Sequence, residues 1–142
     1  MNSEDAINNL MVIDDDEVDQ LLYRRVVERS GIVTSLVAFT RPAEALEFLR
    51  NAGSDIPDLI LLDIRMPGMD GFEFLDHLAN EISELYSQLR VVMVSTSTDP
   101  SDASRASSYS AVKSYINKPI SGPQLRDLAQ LMKQESESRE DH

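Results

Sequence analysis

Short, unbroken apolar runs recur along this chain and limit the folds open to it. They cover residues 10–13, 59–62 and 91–94, with a weaker run at 35–39 and a short candidate at 114–117. Apolar runs of this length without polar alternation are typical of strands that are covered on both faces, as in a parallel sheet. The chain is therefore predicted to contain five buried parallel strands.

Segments with the apolar spacing of helices separate these runs. The predicted inner faces are Val18, Leu21, Leu22 and Val26 in the first helix, Ala45, Leu46 and Leu49 in the second, Phe72, Leu75, Leu78 and Ile82 in the third, and Leu125, Leu128, Ala129 and Met132 in the fifth. Gly31 is expected to end the first helix, and Pro42 to begin the second. The fourth, around residues 101–110, is rich in serine and is expected to pack least firmly.

This alternation predicts an α/β fold with a parallel sheet and right-handed crossovers. One domain is expected over residues 9–133, after a polar lead at 1–8. The polar tail at 134–142 is expected to fray.

Composition excludes several classes of function. The chain of 142 residues has no cysteine, which removes disulfides, thiolate catalysis and cysteine-built metal sites. Its formal net charge of −12 disfavours direct binding to DNA or RNA. No apolar run approaches the roughly 20 residues of a membrane span, and the first residues lack the pattern of a signal peptide. A cytoplasmic protein is expected.

Polar residues follow the strong strands at their carboxyl ends, where parallel sheets of this kind place their functional crevice. They are the run Asp14-Asp15-Asp16, then Asp63, then Ser95-Thr96, then Lys118. Two carboxylates about 4 Å apart repel by roughly 4 kcal/mol at an effective dielectric of 20, so such a cluster needs a cation or altered protonation. Oxygen ligands without histidine or cysteine favour Mg²⁺.

These residues carry a resemblance to a known family. The stretch Val12-Ile13-Asp14-Asp15-Asp16, the stretch from Leu61 through Asp63 to the Met-Pro-Gly-Met-Asp-Gly turn at 66–71, and the pairs Val94-Ser95 and Lys118-Pro119 resemble response-regulator receiver domains of two-component signalling. The resemblance covers roughly residues 9–133. It implies a doubly wound, flavodoxin-like fold with five parallel strands in the order 2-1-3-4-5.

The resemblance also implies roles for individual residues. Asp63 would accept a phosphoryl group and bind Mg²⁺, with Asp15 as a direct ligand and Asp14 acting through water. The backbone carbonyl of Arg65 would be the third protein ligand. Lys118 would pair with the phosphoryl oxygens.

Further positions would transmit or modulate the signal. Ser95 matches a hydroxyl that moves to the phosphoryl group, and the backbone amide of Thr96 is expected to follow. Tyr115 matches an aromatic residue that swings inward on activation. The side chains of Arg65 and Ser97 lie at positions that modulate dephosphorylation in the family.

The implied function is that of a phosphoacceptor with no enzymatic activity beyond its own phosphorylation and slow dephosphorylation. A histidine kinase or phosphotransfer protein would supply the phosphoryl group. The switched surface would comprise the fourth helix, fifth strand and fifth helix, and would bind a protein target. A stand-alone regulator is expected, although a fragment of a larger regulator or hybrid kinase stays open.

Two other functions fit part of the sequence. In a haloacid-dehalogenase-like phosphatase, Asp14 would be the nucleophile and Asp16 the acid/base, but no acidic motif follows Lys118 and the turn after Asp63 would have no role. A receiver-shaped interaction module that never carries phosphate is the other alternative. Asp16 could instead cap the first helix, and His77 is expected to be an ordinary surface residue.

Overall fold

The fold is a five-stranded parallel sheet with helices on both faces. It was obtained as a computed structural model that describes the backbone of residues 7–140 and the side chains of residues 7–134. The strands are β1 (Ile7–Ile13), β2 (Val33–Phe39), β3 (Leu59–Asp63), β4 (Val91–Ser95) and β5 (Val112–Asn117). Their order is β2-β1-β3-β4-β5, and all four pairings are parallel. The predicted doubly wound fold and its strand order are confirmed.

In the described part of the chain, six helices connect and flank these strands. They are α1 (Glu17–Ser30), α2 (Pro42–Arg50), α3 (Gly71–Glu81), α4 (Ser83–Tyr86), α5 (Pro100–Ala106) and α6 (Gly122–Glu140). Helices α1 and α6 pack on one face of the sheet, whereas α2, α3 and α5 pack on the other. Among residues 7–140, no helix is both long enough and apolar enough to cross a membrane.

The apolar runs are continuous because successive residues enter two different cores. In β1, Leu10 and Val12 pack against α1 and α6, while Met11 and Ile13 pack towards α2 and α3. All four side chains are fully buried. The same alternation holds in β3 and β4. A strand between two helical layers has no solvent-exposed face, so its residues can all be apolar up to its carboxyl end.

The predicted inner face of α1 is wrong. Val18 is 66% exposed, and Leu21 and Leu22 are 45% and 40% exposed. The buried residues are instead Gln20, Tyr23 and Val27, while Val26 is partly buried. Burial of Gln20 is possible because its amide donates to the carbonyl oxygens of Asp14 and Phe39, at 2.9 and 3.0 Å.

The other predicted inner faces hold, except that Met132 of α6 is only partly buried and that Ile82 departs from the prediction. This residue is only partly buried and lies one position beyond the end of α3, while Phe74, not in the predicted set, is fully buried. Gly31 ends α1 with a φ of 66°, and Pro42 is the first residue of α2.

Several element boundaries differ from those predicted. The strand β1 begins at Ile7, inside the predicted lead. The short helix α4 was not predicted, so the predicted fourth and fifth helices correspond to α5 and α6. Helix α5 ends at Ala106, before the serines at 107 and 108, and α6 continues beyond Lys133 to Glu140. Residues 1–6 and 141–142 of the predicted lead and tail lie outside the described residues.

Candidate functional site

The carboxyl ends of four neighbouring strands bring the predicted polar residues together. Asp14 directly follows β1, Asp63 and Ser95 are the last residues of β3 and β4, and Lys118 follows β5. The strands lie side by side in the order β1-β3-β4-β5, so these ends share one edge of the sheet. Asp14 is 0% exposed, Asp63 5% and Ser95 1%. The crevice is therefore lined by buried polar groups.

Three carboxylates meet in this crevice. Asp14, Asp15 and Asp63 each place one oxygen within 4.8 Å of the others. Asp15 is only partly buried, so the cluster opens towards solvent on its side. Three hard oxygen donors without a nitrogen or sulfur ligand suit Mg²⁺, which binds few carboxylates and keeps several waters. The donor set fits the predicted metal.

The ammonium group of Lys118 reaches into the same cluster. Its Nζ lies 2.7 Å from Asp14 Oδ2 and 3.2 Å from Asp63 Oδ1, as ion pairs. It also donates a hydrogen bond of 2.8 Å to Asp19 Oδ2, a carboxylate of α1. Because the Lys118 side chain is only 11% exposed, these contacts are poorly screened by water. The ammonium thus joins β5 to β1, β3 and α1.

The crowding of charges changes the acidity of the site. Burial and the neighbouring charge of Asp14 raise the pKa of Asp63 to about 6, although Lys118 opposes that change. Burial likewise raises the pKa of Asp14, against the effect of Lys118. Burial alone would lower the pKa of Lys118, but its close contacts with the carboxylates of Asp14 and Asp19 raise that pKa above its ordinary value. The lysine is therefore charged at neutral pH.

The loop after β4 is held by its own hydroxyl groups. The backbone amide of Ser97 donates to Ser95 Oγ at 3.0 Å, and the amide of Asp99 donates to Ser97 Oγ at 3.1 Å. Asp99 then caps α5 by accepting from the amide of Ser101. Thr96 is exposed directly after the strand. Ser95 and Thr96 thus lie at the predicted edge, while their contacts to a phosphoryl group stay a prediction.

Arg65 makes a contact that the sequence did not reveal. Its guanidinium donates to Asp102 Oδ2 at 2.8 Å, and this carboxylate is only 10% exposed. The bond connects the loop after the predicted phosphoacceptor to α5. The predicted metal ligand, the carbonyl of Arg65, and the predicted effect of its side chain on dephosphorylation both stay predictions.

Tyr115 lies on β5, partly buried against the core formed with α2 and α3. Its hydroxyl is buried and has no hydrogen-bond partner among the described residues. The ring therefore already points inward in this structure, with a hydroxyl that loses little by moving. Its predicted switching role is untested.

Two glycines explain the turn that follows Asp63. Gly68 has a φ of 82°, in the left-handed region that favours glycine. A Cβ at Gly71 would lie 2.6 Å from the carbonyl oxygen of Asp63, so the helix α3 can begin this close to the site only with glycine there. Asp70 and Glu73 form a capping box over the same turn.

Asp16 lies outside the carboxylate cluster. Its side chain accepts hydrogen bonds from the amides of Val18 and Asp19, at 2.8 and 3.1 Å, and caps α1. The capping role of Asp16 removes the acid/base that the phosphatase alternative requires. His77 is exposed and lies 3.3 Å from Glu81, one helical turn away, as expected of a surface histidine.

Comparisons with known proteins agree with this geometry. The family model of the response regulator receiver domain matches residues 10–130. The polar-differentiation response regulator DivK of Brucella ovis is 32% identical over 117 residues, covering 82% of this chain and 89% of DivK. The sensor histidine kinase CheAY of Helicobacter pylori is 36% identical over 118 residues, which are 82% of this chain but 14% of that kinase.

A solved structure agrees as well. The two component response regulator from Cytophaga hutchinsonii superimposes with a TM-score of 0.83 at 25% identity, covering 89% of this chain and 97% of that one. With these matches, the doubly wound sheet with acidic groups and a lysine at its carboxyl edge is that of a phosphoacceptor signalling domain. The chain belongs to the response regulator receiver domain family.

Proposed function

We propose that Asp63 accepts a phosphoryl group and that this event switches a protein-binding surface. The observation that carries the proposal is the position of Asp63 within a carboxylate cluster and beside an ammonium group. Its Oδ1 lies 3.2 Å from Lys118 Nζ, and its other neighbours, Asp14 and Asp15, complete a set of oxygen ligands. In-line phosphoryl transfer needs a nucleophilic carboxylate close to positive charge. The ammonium of Lys118 supplies one such charge, and a metal ion bound by the oxygen ligands would supply another.

In the proposed step, a carboxylate oxygen of Asp63 forms a bond to phosphorus while the bond from phosphorus to the donor breaks. The leaving group, an imidazole nitrogen of a phosphohistidine, keeps the electron pair and takes up a proton. Lys118 stabilises the negative charge on the transferred oxygens from its present position.

Mg²⁺ would be held by Asp15, Asp63 and the carbonyl of Arg65, with Asp14 acting through water. When bound, the ion supplies charge neutralisation for the phosphoryl oxygens. Lys118 and the carboxylates fix where those oxygens can lie.

The donor is proposed to be a histidine kinase or a phosphotransfer protein. The similarity of this chain to part of a sensor histidine kinase supports that class of partner. The target is proposed to be a protein, since the net charge of −12 opposes direct binding to nucleic acid. The proposal includes a cytoplasmic location and no activity beyond accepting and slowly losing the phosphoryl group.

Incubation with acetyl phosphate and Mg²⁺ tests the proposed chemistry without a cognate kinase. Intact mass spectrometry is expected to show one added phosphoryl group per chain, and hydroxylamine should remove it because acyl phosphates react with that nucleophile. Excess EDTA is expected to prevent the addition. Modification that is insensitive to both reagents would contradict the proposal.

The proposed output surface comprises α5, β5 and α6. Two contacts lead towards it from the site, namely the bond from Arg65 to Asp102 of α5 and the packing of Tyr115 on β5. Helix α5 has two buried residues, Asp102 and Ala106, so few apolar contacts hold it in one arrangement. Phosphorylation would shift the balance between arrangements of this surface.

Replacing Ser95 or Lys118 with Ala is expected to separate phosphoryl loading from the response. Both variants should still accept the group on Asp63, more slowly for Lys118→Ala because it loses the ammonium 3.2 Å away. Amide NMR shifts in the wild type should extend from Asp63 through residues 96–118 when beryllofluoride binds. In either variant they should stay near Asp63.

Lys113→Ala is the matched control, since Lys113 is an exposed lysine of β5 whose Nζ donates, among the described residues, to the carbonyl oxygen of Ser110 at 3.3 Å. It should respond like the wild type. Equal spreading of the shifts in the wild type and in Lys118→Ala would show that the proposed relay is wrong.

A further inference from the structure

We infer that Asp19 is a positioning residue that tethers the ammonium of Lys118 at the phosphoryl site. The inference rests on the proposed role of Asp63 and adds a fourth carboxylate that neither the sequence motif nor the metal cluster includes. Asp19 Oδ2 lies 2.8 Å from Lys118 Nζ, closer than Asp63 Oδ1 at 3.2 Å.

The geometry matches the donor capacity of the lysine. A protonated ammonium has three N–H bonds, and Lys118 Nζ lies within 3.2 Å of three carboxylates, with a hydrogen bond to Asp19 and ion pairs with Asp14 and Asp63. The longest of the three contacts is to Asp63. When a phosphoryl group occupies Asp63, the ammonium can direct an N–H to a phosphoryl oxygen while its contacts with Asp14 and Asp19 remain. The lysine then needs no large movement to reach the new group.

Asp19 is itself held in place by the start of its helix. It lies in the first turn of α1, where its amide donates to the capping carboxylate of Asp16 at 3.1 Å. Its side chain is 27% exposed, against 11% for Lys118. The tether thus attaches the Lys118 side chain to a helix whose first turn is held by its cap, at the rim of the site.

Asp19 has two opposing effects on phosphoryl binding. Asp19 adds a negative charge near a site that must accept an anion, which opposes phosphoryl binding. It also orders the Lys118 side chain before binding, so that less conformational entropy is lost when the phosphoryl group binds. Because the ammonium contacts Asp19 directly, we expect the positioning effect to be the larger. Loss of one such bond in a partly exposed place changes affinity by roughly three- to tenfold.

The test compares Asp19→Ala with Asp19→Glu, which keeps the carboxylate, and with Glu17→Ala. Glu17 is an exposed acid of the same helical turn, so its removal changes the net charge equally without touching Lys118. The first measurement is the NMR order parameter of the Lys118 ammonium in metal-free, unloaded protein. The second is the half-saturating concentration of beryllofluoride at fixed Mg²⁺, followed by ¹⁹F NMR.

The tether predicts that Asp19→Ala lowers the order parameter and raises the half-saturating concentration about three- to tenfold. Asp19→Glu should recover at least part of both values, and Glu17→Ala should match the wild type. An unchanged order parameter, or binding in Asp19→Ala as tight as or tighter than in the wild type, would overturn the inference. If the wild type bound no beryllofluoride, the proposed function would be wrong. The order parameter of the Lys118 ammonium in Asp19→Ala, compared with the wild type, would then be the test of whether Asp19 holds the lysine.

Discussion

Replacing Asp15 with Ala is expected to weaken Mg²⁺ binding by more than roughly a hundredfold, since changes to residues that merely support a metal ligand already cost about 10- to 100-fold. Asp15 belongs to the cluster whose oxygens lie within 4.8 Å of one another and is its most accessible member. The rate of phosphorylation by acetyl phosphate should fall as Mg²⁺ binding weakens. Isothermal titration with Mg²⁺ measures the loss directly.

The same variant should be no less stable than the wild type when both are kept in EDTA. Removing one of three neighbouring carboxylates relieves repulsion between them, and Asp15 is the most exposed of the three, so its loss leaves no cavity in the core. Glu17→Ala serves as the control for a loss of charge outside the cluster. A clear drop in the melting temperature of Asp15→Ala alone, with Mg²⁺ affinity intact, would assign Asp15 to structure and not to the metal.

The free energy of unfolding of the metal-free protein is expected to fall as the pH rises from about 4 to about 6, because Asp63 ionises in this range. The pKa of this group rises from the ordinary aspartate value of 3.8 to about 6 in the fold, mainly through burial and then through the charge of Asp14. The folded state therefore binds a proton more tightly than the unfolded state does. Ionisation above pH 6 destabilises the fold by up to about 3 kcal/mol, at 1.36 kcal/mol for each pKa unit.

Comparison with Asp63→Asn isolates this effect from the other acids of the chain. The free energy of unfolding of the wild type minus that of Asp63→Asn should be constant below about pH 4, fall through pH 4–6, and stay low above. Urea unfolding in EDTA at several pH values measures it. Excess Mg²⁺ should restore stability to the wild type at pH 7, because the ion binds the folded carboxylate cluster. A difference that rises with pH would contradict the pKa assigned to Asp63.

The sheet was predictable from the sequence because its central strands are continuous apolar runs. A residue such as Leu61 or Leu62 is buried whichever face of the sheet it points to, so the run shows no gaps. The candidate site followed from the sheet, since residues that end adjacent parallel strands must meet at one edge. Asp14 and Asp63, at the ends of the adjacent strands β1 and β3, could be brought together in this way without knowledge of any side-chain position.

The inner face of α1 was not predictable by the same means. Leu21 and Leu22 are more apolar than Gln20, yet Gln20 is the buried residue. It is buried because two carbonyl oxygens accept hydrogen bonds from its amide, and this depends on where the ends of β1 and β2 lie. Apolar periodicity reflects hydrophobicity alone and carries no information about such hydrogen-bond partners.

Two ion pairs beside the site were missed for a related reason. Lys118 and Asp19 are 99 positions apart in the chain, and Arg65 and Asp102 are 37 apart. No local pattern marks either pair, since charged residues are frequent on any exposed helix. Their proximity follows only from the packing of α1 and α5 against the edge of the sheet.

The position of the phosphoryl group tests the central claim most directly. Borohydride reduction of the acetyl-phosphate-treated protein, followed by peptide mass spectrometry, converts the phosphorylated aspartate into homoserine and so identifies it. Homoserine is expected at position 63 alone, and no modification is expected in Asp63→Asn. Homoserine at position 14, or undiminished labelling of Asp63→Asn, would contradict the central claim and favour the phosphatase alternative.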